Sequence, residues 1–284
     1  MRNKMLFVVF SVIIILAVAV SPVGAVTDGA LDGNGHPYVG LMLAQDANGN
    51  PLWRCSGTLL SDSLFLTAGH CTESPAAHVE IWFAAGPIAT DSNYVSKAAG
   101  GTGCDNPAVT GYPCHGEVGG TPHTHPQYNP NAFFLYDLGV VVLDEPVSKP
   151  AYGALPGLNE LDALKPNRKT TFTAVGYGLQ KSFPDAAAWK DVAVRERMVA
   201  HPKLNQINTG YTGDFSLLLS NNTNTGGTCF GDSGGPNFIG NSNVVAGVTS
   251  YGLNGSCGGT GGVYRVDRAD DLNWLYETFG DHLP

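Results

Sequence analysis

The apolar stretches of this chain are short, and turn-forming residues cut them off one after another. Residues 36–43, 53–60, 64–67, 79–83 and 139–143 each run for the length of a strand and stop. A helix needs about 10–12 residues to earn its place in a domain, so segments this short have room only for strands. The 37 glycines and 18 prolines supply the interruptions, glycine by reaching positive φ and proline by presetting φ. Asn48-Gly49 marks a hairpin between the first two runs. Residues 79–83 alternate as a half-buried strand does, and residues 139–143 are continuously apolar, as in a buried one. Further strands are expected near 171–175, 192–199, 216–219, 244–249 and 262–266. Only the end of the chain changes period. Leu272, Leu275, Tyr276 and Phe279 form one apolar helical face, with Asp270 and Asp271 in the favourable first turn. The pattern predicts an antiparallel all-β protein closed by a C-terminal α-helix.

The beginning of the chain reads as a targeting segment. Arg2 and Lys4 precede an apolar run from Met5 to Val20, and Val23-Gly24-Ala25 offers small residues at a cleavage site. The run is shorter than the ~20 residues a membrane span needs, so a secretory signal peptide over residues 1–25 is expected. The chain that follows is then extracellular, with no membrane attachment. The formal net charge of the full sequence, −9, gives no electrostatic reason to bind nucleic acid.

The six cysteines, Cys55, Cys71, Cys104, Cys114, Cys229 and Cys257, all lie beyond the leader. An even number in an exported chain indicates three disulfides, with fifteen possible pairings. No Cys-x-x-Cys pair points to zinc. His123 and His125 stand without neighbouring acids or cysteines, and no acidic loop reads as a calcium site, so neither a metal nor a cofactor is expected. Residues 97–122, rich in Gly, Pro, Thr and Asn, read as a surface loop. Residues 144–169 read as the connection between two halves. Asn221-Asn222-Thr223 and Asn254-Gly255-Ser256 fit the glycosylation pattern.

Chemistry concentrates in residues 229–236, Cys-Phe-Gly-Asp-Ser-Gly-Gly-Pro. A serine hydroxyl is a poor nucleophile and needs both a base and a cradle for developing charge. Glycines around Ser233 let backbone N–H groups approach a reacting carbonyl. A base is available in Leu66-Thr67-Ala68-Gly69-His70-Cys71. Asp137 leads directly into an apolar strand, a costly place for a charge unless it accepts a hydrogen bond from a histidine ring.

These segments, with His125-Pro126-Gln127-Tyr128-Asn129 upstream of Asp137, resemble the chymotrypsin/trypsin-like serine protease family. The order His70, Asp137, Ser233 matches that family and not the subtilisin or α/β-hydrolase orders. The resemblance implies two antiparallel six-stranded β-barrels, over residues 26–150 and 151–284, with a C-terminal helix and the active site in the cleft between them. It implies Ser233 as nucleophile, His70 as base and Asp137 as the group orienting His70. The N–H groups of Gly231 and Ser233 would form the oxyanion hole. It pairs Cys55 with Cys71 and Cys229 with Cys257, leaving Cys104 with Cys114. Gly227 would sit at the base of the substrate pocket, with Thr228, Ser250, Tyr251, Gly252 and Gly262 around it.

With no acid at that base, and Thr249 where glutamate-specific relatives carry histidine, the resemblance implies cleavage after large neutral residues of protein or peptide substrates. Ser250 would also support Asp137. In many relatives a newly exposed N-terminal amine pairs with the aspartate before the nucleophile. Here that implies Val26, at the expected leader junction, and Asp232. A secreted, monomeric serine endopeptidase is the leading expectation. A catalytically silent binding protein on the same fold is the second. An esterase would use the same acyl chemistry on another fold and lacks its strand-then-helix setting here.

Overall fold

The computed structural model describes residues 26–88 and 116–284. Fourteen strands dominate the described residues. Those of the first half are β1 (Ala30–Leu31), β2 (Val39–Gln45), β3 (Pro51–Leu59), β4 (Leu64–Thr67), β5 (His78–Trp82), β6 (Val118–Thr124) and β7 (Gly139–Leu143). Those of the second half are β8 (Phe172–Gly176), β9 (Met198–Ala200), β10 (Leu204–Thr209), β11 (Gly213–Asn221), β12 (Pro236–Ile239), β13 (Val245–Gly252) and β14 (Gly259–Arg265). Two helices matter to the site: the single turn α1 (Gly69–Thr72) and the terminal α2 (Ala269–Phe279).

Strands β2-β3-β4-β7-β6-β5 close into a barrel. The hairpin predicted at Asn48-Gly49 joins β2 to β3: Asp46 Oδ1 accepts the N–H groups of Asn48 and Asn50, and Gly49 adopts φ +82°. Barrel closure pairs every strand and buries a contiguous cluster that includes Leu41, Leu43, Phe65, Leu66, Ile81 and Val140. The second half is an eight-stranded sheet, β1-β9-β8-β12-β13-β14-β11-β10, whose end strands do not pair with each other. The expected all-β architecture with a terminal helix holds, but the second unit is a half-barrel of eight strands rather than a closed six.

The halves also exchange their ends. β1 pairs with β9 of the second sheet, whereas α2 buries Leu275 and Phe279 in the main core and sets Trp274 and Phe279 against His125 and His123 of the first half. The division at residue 150 therefore does not follow strand pairing at the N-terminal edge. Tyr276, assigned by period to the buried helix face, is 54% exposed, and Trp274 packs inward instead.

Part of the segment read as a loop is structural. Residues 118–122 belong to β6, which pairs with both β5 and β7. Its Val-Gly-Gly-Thr-Pro sequence imitates a turn, but a side chain at Gly119 would run into Asp144 and His78, and one at Gly120 into Val141 and Val142. The glycines are there for close strand packing. Cys104 and Cys114 lie outside the described residues.

Candidate active site

His70 sits on α1, directly after β4 delivers the chain to the barrel rim. Ala68 is extended, its carbonyl accepts the Cys71 N–H at 3.1 Å, and the helical turn follows at once. The Cys55–Cys71 disulfide, with Cα atoms 6.1 Å apart, ties this turn to β3. The Trp53 indole N–H adds a hydrogen bond of 2.8 Å to the Cys71 carbonyl. The turn is therefore anchored covalently and polarly to a closed barrel, which fixes the position of the imidazole.

Asp137 precedes β7 and is fully buried. Its carboxylate lies 3.0 Å from His70 Nδ1 through either oxygen, accepts the His70 backbone N–H at 2.9 Å, and accepts the Ser250 hydroxyl at 2.5 Å. Three donors compensate the desolvation of a charge at this depth. Burial of the ring works to lower the His70 pKa, but the charge and hydrogen bond of Asp137, with the charge of Glu73, outweigh it and hold the pKa above the usual histidine value. Burial first, and then the Asp137 charge, push Glu73 upward against the pull of His70.

Ser233 lies on the turn between β11 and β12, beside the Cys229–Cys257 disulfide, whose Cα atoms are 5.3 Å apart. Gly231 adopts φ +96°, a conformation open to glycine and strained for other residues. Asp232, fully buried, accepts the N–H groups of Gly178 and Cys229, each at 2.8 Å. Burial raises its pKa to about 6 against those two bonds and the charge of Arg195. Arg195 Nη1 donates to the Tyr177 carbonyl at 3.2 Å and lies beside Gly231.

His70 and Ser233 line one cleft of about 420 Å³ together with Thr228, Ser250, Tyr251 and Gly252. No hydrogen bond joins the Ser233 hydroxyl to the His70 ring among the described residues. Gly227 and Gly262, read as pocket residues, are not part of the lining. The space a side chain would take at Gly227 is filled by Asn221, whose amide donates to the Thr228 carbonyl at 2.7 Å. The corresponding space at Gly262 is filled by the Tyr251 ring. The two glycines make room for neighbouring side chains rather than for a ligand. Asn221 is buried, which also removes it as a glycosylation acceptor in the folded protein, while Asn254 stays exposed.

Sequence reasoning missed Glu73, Tyr128, Phe133 and Phe230, all of which line the cleft. Glu73 and Phe230 lie within three residues of motif positions and were within reach of the reading. Tyr128 and Phe133 come from a loop whose path needs the fold. Phe133 packs edge-on against Tyr251, with centroids 6.3 Å apart, so the walls are aromatic and uncharged apart from Glu73. Burial, reinforced by the charges of Asp137 and Glu73, raises the Tyr128 pKa and keeps the phenol neutral.

Val26 is buried against Met198 and Ala200, and the Thr27 carbonyl accepts the Gly227 N–H at 3.0 Å. His125 is a buried packing residue, stacked on Tyr136 at 5.1 Å. Cys55, His70 and Cys71 bring three ligand-type atoms together, but the disulfide consumes both thiols.

A family profile described as Trypsin matches residues 114–272. No curated protein matches the chain. Among solved structures it is similar to HL collagenase, with a TM-score of 0.61 and 19% identity over 89% of this chain and 98% of that one. It is similar to a mutant of human heparin binding protein, with a TM-score of 0.59 and 16% identity over 90% and 98%. Human heparin binding protein itself gives a TM-score of 0.57 and 17% identity over 89% and 95%. Likeness at these identities carries the fold alone.

Proposed function

The chain belongs to the trypsin family, and from that premise we propose that it is a secreted serine endopeptidase acting, as a monomer, on protein or peptide substrates. The observation that carries this reading is the buried Asp137 carboxylate on His70 Nδ1, in the cleft that also holds Ser233. With Nδ1 held, the acceptor Nε2 is left for the serine hydroxyl, and Asp137 steadies the imidazolium that forms.

In the proposed cycle Ser233 Oγ bonds to the scissile carbonyl carbon while its proton passes to His70. The carbonyl oxygen becomes an oxyanion held by the N–H groups of Gly231 and Ser233. The C–N bond then breaks and His70 returns the proton to the departing amine. Water, deprotonated by His70, releases the acyl group from Ser233 and regenerates the hydroxyl.

The aromatic side chains Tyr128, Phe133, Phe230 and Tyr251 in the cleft lining support a preference for large neutral side chains before the cleaved bond. A buried arginine or lysine would meet no counter-charge at Asn221 and Thr228. Activation is proposed to use the amine of Val26. The Thr27–Gly227 bond draws that end of the chain toward the nucleophile turn, and Asp232 is a buried carboxylate that a new cation would stabilise.

The lack of a hydrogen bond between the Ser233 hydroxyl and the His70 ring among the described residues favours one other reading, a silent binding protein. A serine-directed fluorophosphonate probe distinguishes them. Labelling of the wild type that disappears in Ser233→Ala supports the enzyme, whereas no labelling of folded wild type supports the binding protein. A peptide panel varied only before the cleaved bond tests the pocket, and best cleavage after Arg or Lys would overturn the preference. N-terminal sequencing of the active form tests Val26.

A further inference from the structure

The nucleophile turn is held from the other half of the molecule by one small residue. Ser56, fully buried on β3 of the first barrel, donates its backbone N–H to the Ser233 carbonyl at 2.8 Å. Its hydroxyl donates to the Gly231 carbonyl at 2.9 Å and accepts the Tyr177 N–H at 3.0 Å. Its own carbonyl accepts the Thr67 hydroxyl at 2.9 Å, so the residue is itself braced from β4, two residues before α1 begins.

The remaining carbonyls of the turn are also engaged. Leu179 N–H donates to the Phe230 carbonyl at 2.9 Å, and Gly235 N–H donates to the Asp232 carbonyl at 2.8 Å. Within a trans peptide group the N–H points opposite to the C=O. Fixing the Phe230 and Asp232 carbonyls therefore fixes the direction of the Gly231 and Ser233 N–H groups. Neither of these N–H groups has a hydrogen-bond acceptor among the described residues, whereas the Asp232 N–H is taken by the Cys229 carbonyl at 2.9 Å. The Gly231–Asp232 peptide that links these two donors is held through its N–H by Cys229 and through its carbonyl by Ser56. Gly231 has no side chain to stiffen this link, and among the described residues the only donor on its carbonyl is the Ser56 hydroxyl.

We propose that the Ser56 hydroxyl is a positioning group for catalysis: by pinning the Gly231 carbonyl it keeps the Gly231 and Ser233 N–H groups aimed together into the cleft. Ser56 does not line the cleft and touches no substrate, so it acts only through the turn. The inference rests on the proposed peptidase activity, since two aimed donors matter only where an oxyanion forms. Electrostatic catalysis of this kind depends on donors already in place when charge develops.

The experiment compares wild type, Ser56→Ala and Ser56→Cys with a cleavable peptide and with the matching peptide aldehyde, whose hemiacetal oxygen occupies the same donors. Melting curves set the assay temperature so that all three are folded. Ser56→Ala is expected to lower kcat by on the order of 10- to 100-fold, less than the loss of an oxyanion donor outright. KM should stay within about twofold, and aldehyde affinity should weaken in parallel with kcat, as expected for an interaction felt in the transition state. Ser56→Cys keeps a weak donor of similar shape and should fall between the two.

A Ser56→Ala enzyme with kcat within about twofold of wild type overturns the proposal. So does a loss carried by KM, or an aldehyde affinity that does not change. If folded wild type neither cleaves peptides nor takes the fluorophosphonate, the peptidase reading itself has failed. A labelled, active wild type with an indifferent Ser56→Ala refutes this proposal alone.

Discussion

The two halves keep themselves folded by different means. The closed barrel satisfies its backbone by strand pairing, and its interior is overwhelmingly apolar. Its buried carboxylates are Glu80 and Asp137. The open sheet has a smaller apolar cluster of its own, around Phe172, Leu217 and Val263, and encloses Arg265, Asp232, Asp267 and Asp271. Carboxylates among these hold backbone donors of connecting segments, as Asp137 and Glu80 each do for one N–H in the first half. Asp267 accepts the Leu161 N–H at 2.9 Å while holding Arg265, and Asp232 accepts the N–H groups of Cys229 in the nucleophile turn and of Gly178 just after β8. An open sheet has long connections whose backbone donors need partners, and buried carboxylates supply them. The barrel provides a rigid rim for His70, and the sheet provides polar, adjustable support for Ser233.

The comparison breaks most visibly at Asp137, the fully buried carboxylate of the apolar half. Asp137→Asn is expected to lower kcat by about 10⁴-fold, because the amide leaves His70 in the wrong tautomer. Steady-state kinetics checks this, with circular dichroism confirming the fold.

Next come the substitutions that weigh charge against packing. Arg197 is buried where the halves meet, paired with Asp32 at 2.9 Å and bonded to the Phe83 carbonyl at 2.8 Å. Arg197→Met should destabilise by about 3 kcal/mol, since it takes the guanidinium from the buried Asp32 and leaves that carboxylate held by His36. Leu41→Ala, in the barrel core, should cost about 2–5 kcal/mol through lost burial and a cavity. Denaturant titration reads both. Exchanging Asp32 for leucine alongside Arg197→Met should recover much of the loss, whereas no second change of charge rescues Leu41→Ala.

Smaller in size is an opposition between two aspartates. Burial raises the Asp32 pKa, but the His36 hydrogen bond and charge, with Arg197, outweigh it and depress it. Its contribution is present above the unfolded value of 3.8 and lost as pH falls through the depressed folded value. Asp271 behaves in reverse. Burial, then Asp270, raise its pKa to about 8 despite the Tyr264 hydrogen bond. The folded state holds that proton more tightly than the unfolded state, so stability declines as pH rises from the unfolded 3.8 through about 8. Asp271→Asn should flatten the decline in melting temperature between the unfolded 3.8 and about pH 8, leaving the acid loss below that window to groups such as Asp32.

The smallest effect concerns Glu73, which adds to the upward pull on His70. Activity needs neutral His70 and is lost as pH falls through its raised pKa. Glu73→Gln should move the acid limb of kcat/KM to lower pH, with little change on the plateau.

Short apolar runs with glycine and proline between them made the strands legible, and 64–67 and 139–143 coincide with β4 and β7. Ser233, His70 and Asp137, the residues proposed for catalysis, stood out in the sequence because each sits in an unusual local setting. β6 was not, since Gly119 and Gly120 answer to neighbours that only strand pairing brings close. The pocket was misread at Gly227 and Gly262 for the same reason: a glycine in sequence records that space is needed, not which group will use it. Asn221 and Tyr251 take that space from other strands. Ser56 left no local mark at all, because the partners of its hydroxyl, Gly231 and Tyr177, lie more than a hundred residues away.

The exchange of ends bears on separability. With β1 completing the sheet of the second half and α2 completing the core of the first, neither half is self-sufficient. A cut in the connection between β7 and β8 would leave two pieces that remain clasped, each holding a part the other needs. The unit that folds, and that can be inherited or transplanted, is the whole pair.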